Sequence, residues 1–524
     1  MATLVESDEA SIAQAARRPA IVFIGFMGAG KTAAARAARD AGLEALEADE
    51  LLEDEVGMPI AQFFGRRGEE EFRSLESAQV TKLLGDADGG VIALGGGAVT
   101  SEPVREALAR HIVVWLQVSA EEAWRRVEGS DRPLAQDRHQ FEALHAEREP
   151  FYARLADAIL PPGDEQMVAR ALPSLLGLRE LPPGTRMAWA SSDSGEYPAY
   201  VGDGLLAAGF WPLPQRRFCV SDSTVAGLYA QAVQPLAGLV EVEPGERAKT
   251  LAEAERVLRE LARLGMSRAD HLVALGGGVA GDLAGFCAAT YQRGVDVVQV
   301  PTTLLAQVDS AYGGKTGVDL PEAKNYVGAY HLPSAVLADT ATLATLPAEE
   351  LAAGFVEVVK TALIAGAEPW ERVRKLTELD PAKLGDAIFA CVQTKLDVVA
   401  ADERDSGRRA VLNLGHTVGH AVEVASGYER YRHGEAVGLG LLAALRLSGA
   451  VELRDEVHDL LERHGLPTRL DPAIDVETVL AAVELDKKRT ADGVGFVLLE
   501  RAGQPVVGRP VDPDTVRAAV EELR

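Results

Sequence analysis

A phosphate-binding loop near the N-terminus constrains the fold more than any other feature of this chain. The apolar run Ala20–Ile24 is typical of a buried strand, and Gly25–Thr32 (GFMGAGKT) follows it at once. This segment fits G-x-x-x-x-G-K-[ST], a loop that joins a strand to a helix and turns backbone N–H groups toward phosphate oxygens. It predicts an α/β domain with a parallel sheet and a bound nucleotide. The alternative is a glycine-rich turn without a ligand.

The expected roles of the loop residues follow from phosphate chemistry. Lys31 brings positive charge to the β- and γ-phosphates of the nucleotide, and the Thr32 hydroxyl is offered to Mg²⁺. The backbone of Gly28, Ala29 and Gly30 is expected to cradle the phosphate oxygens.

Size and composition exclude several classes of protein. A chain of 524 residues is long enough for two or three domains, and a formal charge of −26 argues against a nucleic-acid partner. The three cysteines are far apart in apolar surroundings, which predicts neither disulfides nor a zinc knuckle. No apolar run of about 18 residues occurs, and the N-terminus is acidic, so we expect no membrane association and a cytoplasmic location.

Three of the ten histidines gather in the stretch Asn413–Glu435. His416 and His420 are four residues apart, so on a helix their imidazoles share one face. His433 follows Gly427, where the helix should end and the chain can return. Three ligands with an open position make a catalytic metal site, and spacing alone favours His416 with His420. The alternative is a polar patch on a buried helix.

A second glycine cluster follows a Pro-Pro-Gly segment. Pro182–Gly184 lies within a predicted interdomain linker, residues 179–187, which separates a first domain at 18–178 from the rest; residues 1–17 are expected to form a flexible tail. Past the linker, Gly276, Gly278 and Gly281 satisfy G-x-G-x-x-G between a strand and an apolar helix, a dinucleotide-binding signal.

The first domain resembles shikimate kinase over nearly its whole length. The resemblance rests, in order, on Glu47–Asp49, GEEEFR (68–73), LGGGAVT (94–100), DRPL (131–134) and REPFY (148–152). It implies that Asp49 binds the acceptor hydroxyls of shikimate and can act as base, and that Arg132 reaches the transferred phosphoryl group and ATP. It further implies contacts to shikimate from Arg73, Gly95, Gly96, Gly97 and Arg148. Glu47 departs from the family, which usually has Asp there near the Mg²⁺.

From about residue 190 to 510 the chain resembles 3-dehydroquinate synthase. The motifs are YQRG (291–294), PTTLLAQVDSAYGGKTGV (301–318), KNYVGAYHLP (324–333), LPAEELAAGFVEVVK (346–360), DERDSGRRAVLNLGH (402–416), HGEAVG (433–438) and DKK (486–488). The implied metal, Zn²⁺ or another divalent ion such as Co²⁺, is held by Glu357, His416 and His433. His420 then contacts the substrate phosphate instead.

The same resemblance implies the remaining contacts. NAD is expected against Asp222, Glu246, Lys249, Gly277, Gly278, Val279, Asp282, Thr302, Thr303, Lys315, Lys324, Thr345, Leu346 and Glu350. The heptulosonate phosphate substrate is expected against Arg293, Asp309, Lys315, Asn325, Lys360, Lys395, Arg409, Asn413, His420 and Lys487. Arg293 matches a position that acts in the neighbouring subunit, which implies a homodimer through the C-terminal half. Asp405 stands where the family has a substrate-orienting Glu.

Together the resemblances imply a bifunctional enzyme of aromatic biosynthesis. The first domain phosphorylates shikimate with Mg·ATP, and the second forms 3-dehydroquinate from 3-deoxy-arabino-heptulosonate 7-phosphate. The second half is expected to comprise an α/β NAD-binding subdomain (188–344) and a mostly helical metal-binding subdomain (345–524). Two alternatives stay open: a related sugar-phosphate cyclase or polyol dehydrogenase in the second half, and a catalytically silent nucleotide-binding module in the first.

Overall fold

The computed structural model describes residues 17–130, 134–164, 166–489 and 495–524, and for 485–489 the backbone alone. The predicted tail, apart from its last residue, and Arg132 lie outside these residues. The chain divides into two compact units, one ending at Ala190 and the other beginning at Ser191.

The first unit contains a parallel sheet with strand order β2-β3-β1-β4-β5-β6. Its strands are β1 Ile21–Ile24, β2 Ala45–Glu47, β3 Val91–Ala93, β4 Ile112–Leu116, β5 Ala158–Leu160 and β6 Arg186–Ser192. Its helices are α1 Lys31–Asp40, α2 Ala48–Val56, α3 Ile60–Arg67, α4 Glu69–Asp86, α5 Glu102–Leu108, α6 Ala120–Val127, α7 Arg138–Leu155 and α8 Met167–Gly177.

The phosphate loop has the predicted strand-before, helix-after context. All four residues of β1 are buried, as expected for an apolar strand with neighbours on both sides. Gly28 and Gly30 have left-handed φ angles of 82° and 95°, which residues with a Cβ rarely adopt. Helix α1 then begins at Lys31, so the N–H groups of its first turn face the loop.

The second unit begins with a parallel sheet in the order β7-β14-β11-β10-β8-β9. These strands are β7 Gly195–Gly202, β8 Arg217–Asp222, β9 Leu236–Val242, β10 His271–Gly276, β11 Asp296–Pro301 and β14 Ala335–Asp339. Helices α9 Ser223–Tyr229, α10 Leu251–Arg263 and α11 Gly278–Thr290 accompany them. An antiparallel hairpin, β12 Lys315–Leu320 and β13 Ala323–Tyr330, completes this part.

The remainder of the second unit is mostly helical. It contains α12 Ala348–Ala365, α13 Ala367–Val373, α14 Gly385–Ala401, α15 His416–Ala425, α16 His433–Leu447, α17 Val451–Arg463, α18 Val476–Arg489 and α19 Pro513–Glu521, with one antiparallel hairpin, β15 Phe496–Leu499 and β16 Pro505–Arg509. The predicted fold class, a parallel α/β kinase domain followed by an α/β part and a helix-rich part, is confirmed.

The linker, the cysteines and the lengths of the helices were also subjects of prediction. The predicted linker is partly structured, because a 3₁₀ turn covers Leu178–Glu180 and β6 begins at Arg186. Cys219, Cys287 and Cys391 are buried free thiols, and burial raises the pKa of each to about 12. Within the described ranges, every helix is too short or too polar to cross a bilayer.

Candidate active sites

The phosphate loop of the first unit carries its lysine folded over the loop backbone. Lys31 Nζ donates to the carbonyl oxygens of Gly25 (2.8 Å) and Phe26 (3.0 Å). Thr32 is exposed in the first turn of α1. A Cβ at Gly28 would lie 3.0 Å from the carbonyl oxygen of Ala123, so α6 closes against the loop where only glycine fits. Arg126 Nη1 also donates to the Gly28 carbonyl oxygen (2.9 Å), so the loop presents N–H groups with cations beside them, a suitable receptor for phosphate.

The predicted acceptor residues converge on the glycines that follow β3. A Cβ at Gly95 would lie 2.6 Å from Asp49 Oδ1, and one at Gly97 would lie 2.6 Å from Arg73 Nη2. The Tyr152 hydroxyl donates to the carbonyl oxygen of Gly96 (2.6 Å). Gly95 and Gly97 thus allow a carboxylate and a guanidinium to approach the backbone closely.

Two guanidinium groups border this acceptor region in different ways. Arg73 Nη1 donates to Glu76 Oε2 (2.6 Å), and its Nη2 donates to Glu69 Oε1 (3.2 Å). Arg148 is buried, and burial lowers its pKa. Its Nε has no hydrogen-bond partner among the described residues, which suits an anionic ligand that would satisfy it.

Two buried glutamates belong to this region, and Glu76 was not predicted from the sequence. Glu76 is buried, and burial raises its pKa although Arg73 opposes the shift; its position three residues after Arg73 on α4 was the available signal. Glu47 is also buried and accepts a hydrogen bond from Arg39 Nη2 (3.0 Å). This departure from the family pattern is thus paired with a cation of α1.

The second unit contains a cavity of about 980 Å³ between its α/β part and its helices. The predicted residues that line it are Asp222, Glu246, Lys249, Gly277, Gly278, Val279, Asp282, Thr303, Lys324, Asn325, Glu350, His420 and His433.

The glycine turn after β10 forms one wall of this cavity. Helix α11 begins at Gly278 and points its N-terminus into the turn. A Cβ at Gly277 would lie 3.0 Å from Thr303 Cγ2, and the N–H of Thr302 donates to the Gly276 carbonyl (3.0 Å). A close backbone approach at a helix N-terminus is the geometry that receives a pyrophosphate.

A buried lysine connects the same wall to the hairpin. Lys249 Nζ lies 2.5 Å from Asp282 Oδ2 and donates to Asn325 Oδ1. Burial lowers the pKa of Lys249, but Asp282 and Glu246 outweigh burial and raise it. Lys249 is therefore a charged group, and it fixes Asn325, whose φ of 54° is left-handed.

Glu357, His416 and His433 meet beside the cavity, and His433 is part of its lining. His416 Nε2 and His433 Nε2 lie 3.8 and 3.6 Å from Glu357 Oε1. One ligand atom from each residue lies within 4.8 Å of the others. Neither carboxylate oxygen of Glu357 has a hydrogen-bond partner among the described residues, although Lys360 Nζ lies 2.5 Å from Oε2. Two imidazoles and one carboxylate form a ligand set suited to Zn²⁺ or Co²⁺.

Burial and neighbouring charges give these three residues different pKa directions. Burial raises the pKa of Glu357, but Lys360 and the two imidazoles hold it well below its usual range. Burial lowers the pKa of His416 to about 3. Burial also lowers the pKa of His433, but the carboxylates of Glu357 and Glu423 raise it to about 10.

Two further predicted lysines are buried in ion pairs beside this cluster. Lys395 Nζ lies 2.6 Å from Asp309 Oδ1, and burial lowers the pKa of Lys395. Burial raises the pKa of Asp309, but Lys395 and Lys360 outweigh it, so the carboxylate is charged. Lys360 and Lys395 are only 1% and 6% exposed, whereas the predicted Lys315 and Lys324 are exposed.

The loop after α14 is organised by Asp402, a residue that was not predicted to belong to the site. Its carboxylate accepts from the N–H groups of Ser406, Gly407 and Arg409 at 2.8–2.9 Å. Arg409 is buried and donates to the carbonyl oxygens of Glu403 (2.6 Å) and Gly313 (3.3 Å). The loop also brings Asp405, with a left-handed φ of 59°, into an ion pair with Lys315.

The other predicted residues lie nearer the surface. Thr345 Oγ1 lies 2.6 Å from the Tyr229 hydroxyl, Leu346 is half-buried, and Asn413 is exposed. Arg293 is exposed with a left-handed φ of 71°. Lys487 is in α18, and its side chain lies outside what the structure describes.

Glu423 is a second residue of this site that was not predicted from the sequence. It is 6% exposed, lines the cavity and lies 3.4 Å from His433 Nδ1. The missed signal was its position three residues after His420, on the same helical face.

Comparison with known proteins gives these sites a family context. Residues 239–353 match the family model described as 3-dehydroquinate synthase N-terminal, and 354–489 match the one described as 3-dehydroquinate synthase C-terminal. The 3-dehydroquinate synthase of Symbiobacterium thermophilum is 44% identical over 353 residues, which cover 63% of this chain and 98% of the relative. The chain belongs to the 3-dehydroquinate synthase family.

A kinase domain precedes the synthase part. Residues 27–174 match the family model described as shikimate kinase, so this member of the 3-dehydroquinate synthase family is a fusion of two enzyme domains. The resemblances that the motifs indicated are confirmed at the level of families.

Solved structures extend the comparison to other members of the fold. A 2-deoxy-scyllo-inosose synthase complexed with carbaglucose-6-phosphate, NAD⁺ and Co²⁺ is 26% identical, with a TM-score of 0.58 over 64% of this chain and 99% of its own. ValA, a 2-epi-5-epi-valiolone synthase from Streptomyces hygroscopicus subsp. jinggangensis 5008 with NAD⁺ and Zn²⁺ bound, is 28% identical, with a TM-score of 0.55 over 62% and 96%.

Proposed function

We propose that this fusion enzyme catalyses both reactions of its two domains. The second unit converts 3-deoxy-arabino-heptulosonate 7-phosphate into 3-dehydroquinate and phosphate, with NAD and a divalent metal. The first domain transfers the γ-phosphoryl group of ATP, with Mg²⁺, to the 3-hydroxyl of shikimate. The observation that carries the proposal is the meeting of Glu357, His416 and His433 beside a cavity that His433 lines together with Gly277 and Gly278.

Backbone and side-chain groups of the second unit suit the proposed cofactor and metal. The N-terminus of α11 and the paired Lys249 and Asp282 offer dipole, charge and hydrogen bonds to a dinucleotide. Lys360 Nζ lies 2.5 Å from Oε2 of the buried Glu357 carboxylate, whereas its Oε1 faces the two histidines without a hydrogen bond among the described residues, which supports a cation there. Bound NAD⁺ would accept and return a hydride, while the metal would polarise the hydroxyl that is oxidised.

The protein's own groups then hold the substrate. A phosphorylated acid carries several negative charges, and three of the predicted cations are held in fixed directions by partners: Lys395 by Asp309, Lys315 by Asp405, and Arg409 by backbone carbonyls. We assign His420, which lines the cavity, to the substrate phosphate. Fixed cations position the leaving phosphate without the reorganisation that water requires.

In the kinase domain, positioning is also the main task. Arg73 and Arg148 would hold the shikimate carboxylate, because planar guanidinium groups match its two oxygens. Asp49, beside Gly95, would accept the proton of the attacking hydroxyl. Lys31 and Thr32 would bind the phosphates and Mg²⁺. The pairing of Glu47 with Arg39 leaves these groups in place, which supports an active kinase over a silent module.

We also propose that the synthase part acts as a homodimer. Arg293 is exposed on a left-handed turn, and the cavity lining found among the described residues does not include it. A cation placed outward in this way would serve the site of a second copy.

Purified full-length protein tests the proposal directly. With NAD⁺ and Zn²⁺ it should release phosphate from the heptulosonate phosphate and form 3-dehydroquinate. With shikimate and Mg·ATP it should form shikimate 3-phosphate. The structural neighbours favour one rival, a cyclase acting on another sugar phosphate. Phosphate release from a hexose 6-phosphate, with none from the heptulosonate phosphate, would establish that rival and refute the synthase assignment.

A further inference from the structure

Glu423 is a buried carboxylate surrounded by groups of the synthase site. Its Oε2 lies 3.4 Å from His433 Nδ1, and its Oε1 lies 3.9 Å from Lys324 Nζ. With His420 and His433 it forms a second set of groups that offer ligand atoms within 4.8 Å of one another. Burial of a carboxylate in this position requires compensation by its neighbours.

The two nitrogens of His433 face different carboxylates. Nε2 lies 3.6 Å from Glu357 Oε1, on the side of the proposed metal, whereas Nδ1 faces Glu423. A histidine that binds a metal through one nitrogen commonly donates its other N–H to a carboxylate, which fixes the tautomer and the orientation of the ring. Glu423 occupies that position for His433.

The same carboxylate reaches the opposite side of the cavity. Lys324 belongs to the β12–β13 hairpin, and its ammonium group also lies 4.3 Å from the centre of the Tyr428 ring. Glu423 and Tyr428 belong to the helical part, so one lysine connects the hairpin to the segment that carries His433.

We propose that Glu423 is the positioning residue of the synthase metal site: it holds His433 with Nε2 directed at the metal and ties that histidine to Lys324 of the hairpin. This inference rests on the proposed function, because it assumes that Glu357, His416 and His433 bind the ion. It predicts that Glu423 affects metal affinity without being a ligand.

The test is a titration of metal-free full-length protein with Zn²⁺ against a competing chromophoric chelator. Glu423→Ala should bind Zn²⁺ about 10- to 100-fold more weakly than the unmodified protein, with a stoichiometry that stays at one ion in this unit. Glu423→Gln should recover part of the loss, because its amide oxygen still accepts from Nδ1–H. Glu429→Ala, which removes an exposed carboxylate six residues away in the same segment, is the matched control and should bind normally.

Activity provides a second readout that simple misfolding would not reproduce. The synthase turnover lost in Glu423→Ala at limiting Zn²⁺ should return when Zn²⁺ is raised in proportion to the weakened affinity. Equal affinity in Glu423→Ala and the unmodified protein would overturn the inference alone. If the unmodified protein bound two ions and Glu423→Ala bound only one, Glu423 would be a ligand of a second metal site, which would also overturn the inference. Failure of the unmodified protein to bind any ion would refute the proposed function itself.

Discussion

Replacing Gly97 by alanine should separate acceptor binding from ATP binding in the kinase domain. Gly97 has a φ of −94°, so the backbone tolerates alanine. The new Cβ would overlap the guanidinium of Arg73, with Nη2 only 2.6 Å away. Because that group is the far end of a flexible side chain, Arg73 can move aside at little cost to folding, but it then leaves the position from which we expect it to bind the shikimate carboxylate.

The size of the effect follows from the interaction that is lost. Hydrogen bonds to charged groups are worth about 1.5–3 kcal/mol, and each 1.4 kcal/mol corresponds to about a tenfold change in an equilibrium constant. The KM for shikimate should therefore rise about 10- to 100-fold, while the KM for ATP changes little. Steady-state kinetics with each substrate varied in turn would measure both values.

A matched glycine provides the control for this substitution. Gly85 is in helix α4, and a Cβ there would meet nothing within 4 Å. Gly85→Ala should leave both KM values unchanged. A folded Gly97→Ala protein with a normal KM for shikimate would refute the placement of the acceptor carboxylate beside Arg73.

Three further predictions address other parts of the molecule. Lys31→Ala should reduce shikimate phosphorylation about 10³-fold or more, with 3-dehydroquinate formation nearly normal; a joint loss in folded protein would contradict independent sites. Mixing inactive Arg293→Ala and His416→Ala proteins under subunit exchange should restore synthase activity, because a hybrid dimer contains one complete site; no recovery despite exchange would exclude a role for Arg293 across the interface. Burial lowers the pKa of His271 to about 4, and its Nε2 accepts from Trp211 Nε1 (2.9 Å), so the folded protein binds this proton less readily than the unfolded chain. The urea midpoint should therefore fall as pH drops from about 6.5 toward 4, and more steeply than in His271→Gln; equal slopes would contradict a buried neutral histidine.

Turns and helix faces, which depend on residues close together in the sequence, could be predicted from the sequence alone. The phosphate loop and the glycine turn after β10 each follow a buried strand and precede a helix. Both turns can be recognised in the sequence because positive φ angles and close backbone approach require glycine. The shared face of His416 and His420 also follows from helix periodicity, and α15 has both residues.

Contacts between distant segments could not be predicted from spacing. Ser194 donates to Glu403 from 209 positions away, and no local pattern in the sequence indicates that pairing. Spacing favoured His416 and His420 as joint ligands, yet among the described residues each falls in a different group that shares His433. Residues four apart diverge by about 40° around a helix axis, which is enough for one imidazole to face Glu357 and the other Glu423.

Metal analysis of three variants tests the central claim most directly. Full-length His416→Ala, His420→Ala and Glu357→Gln proteins would be loaded with Zn²⁺, dialysed against a weak chelator and analysed for bound metal beside the unmodified protein. If Glu357, His416 and His433 hold the ion, His420→Ala keeps one equivalent, and the other two lose theirs, because two remaining ligands rarely retain Zn²⁺ against a chelator. A metal-free His420→Ala with a metal-replete Glu357→Gln would establish a histidine-only site. A His416→Ala protein that keeps its ion would contradict the metal site altogether.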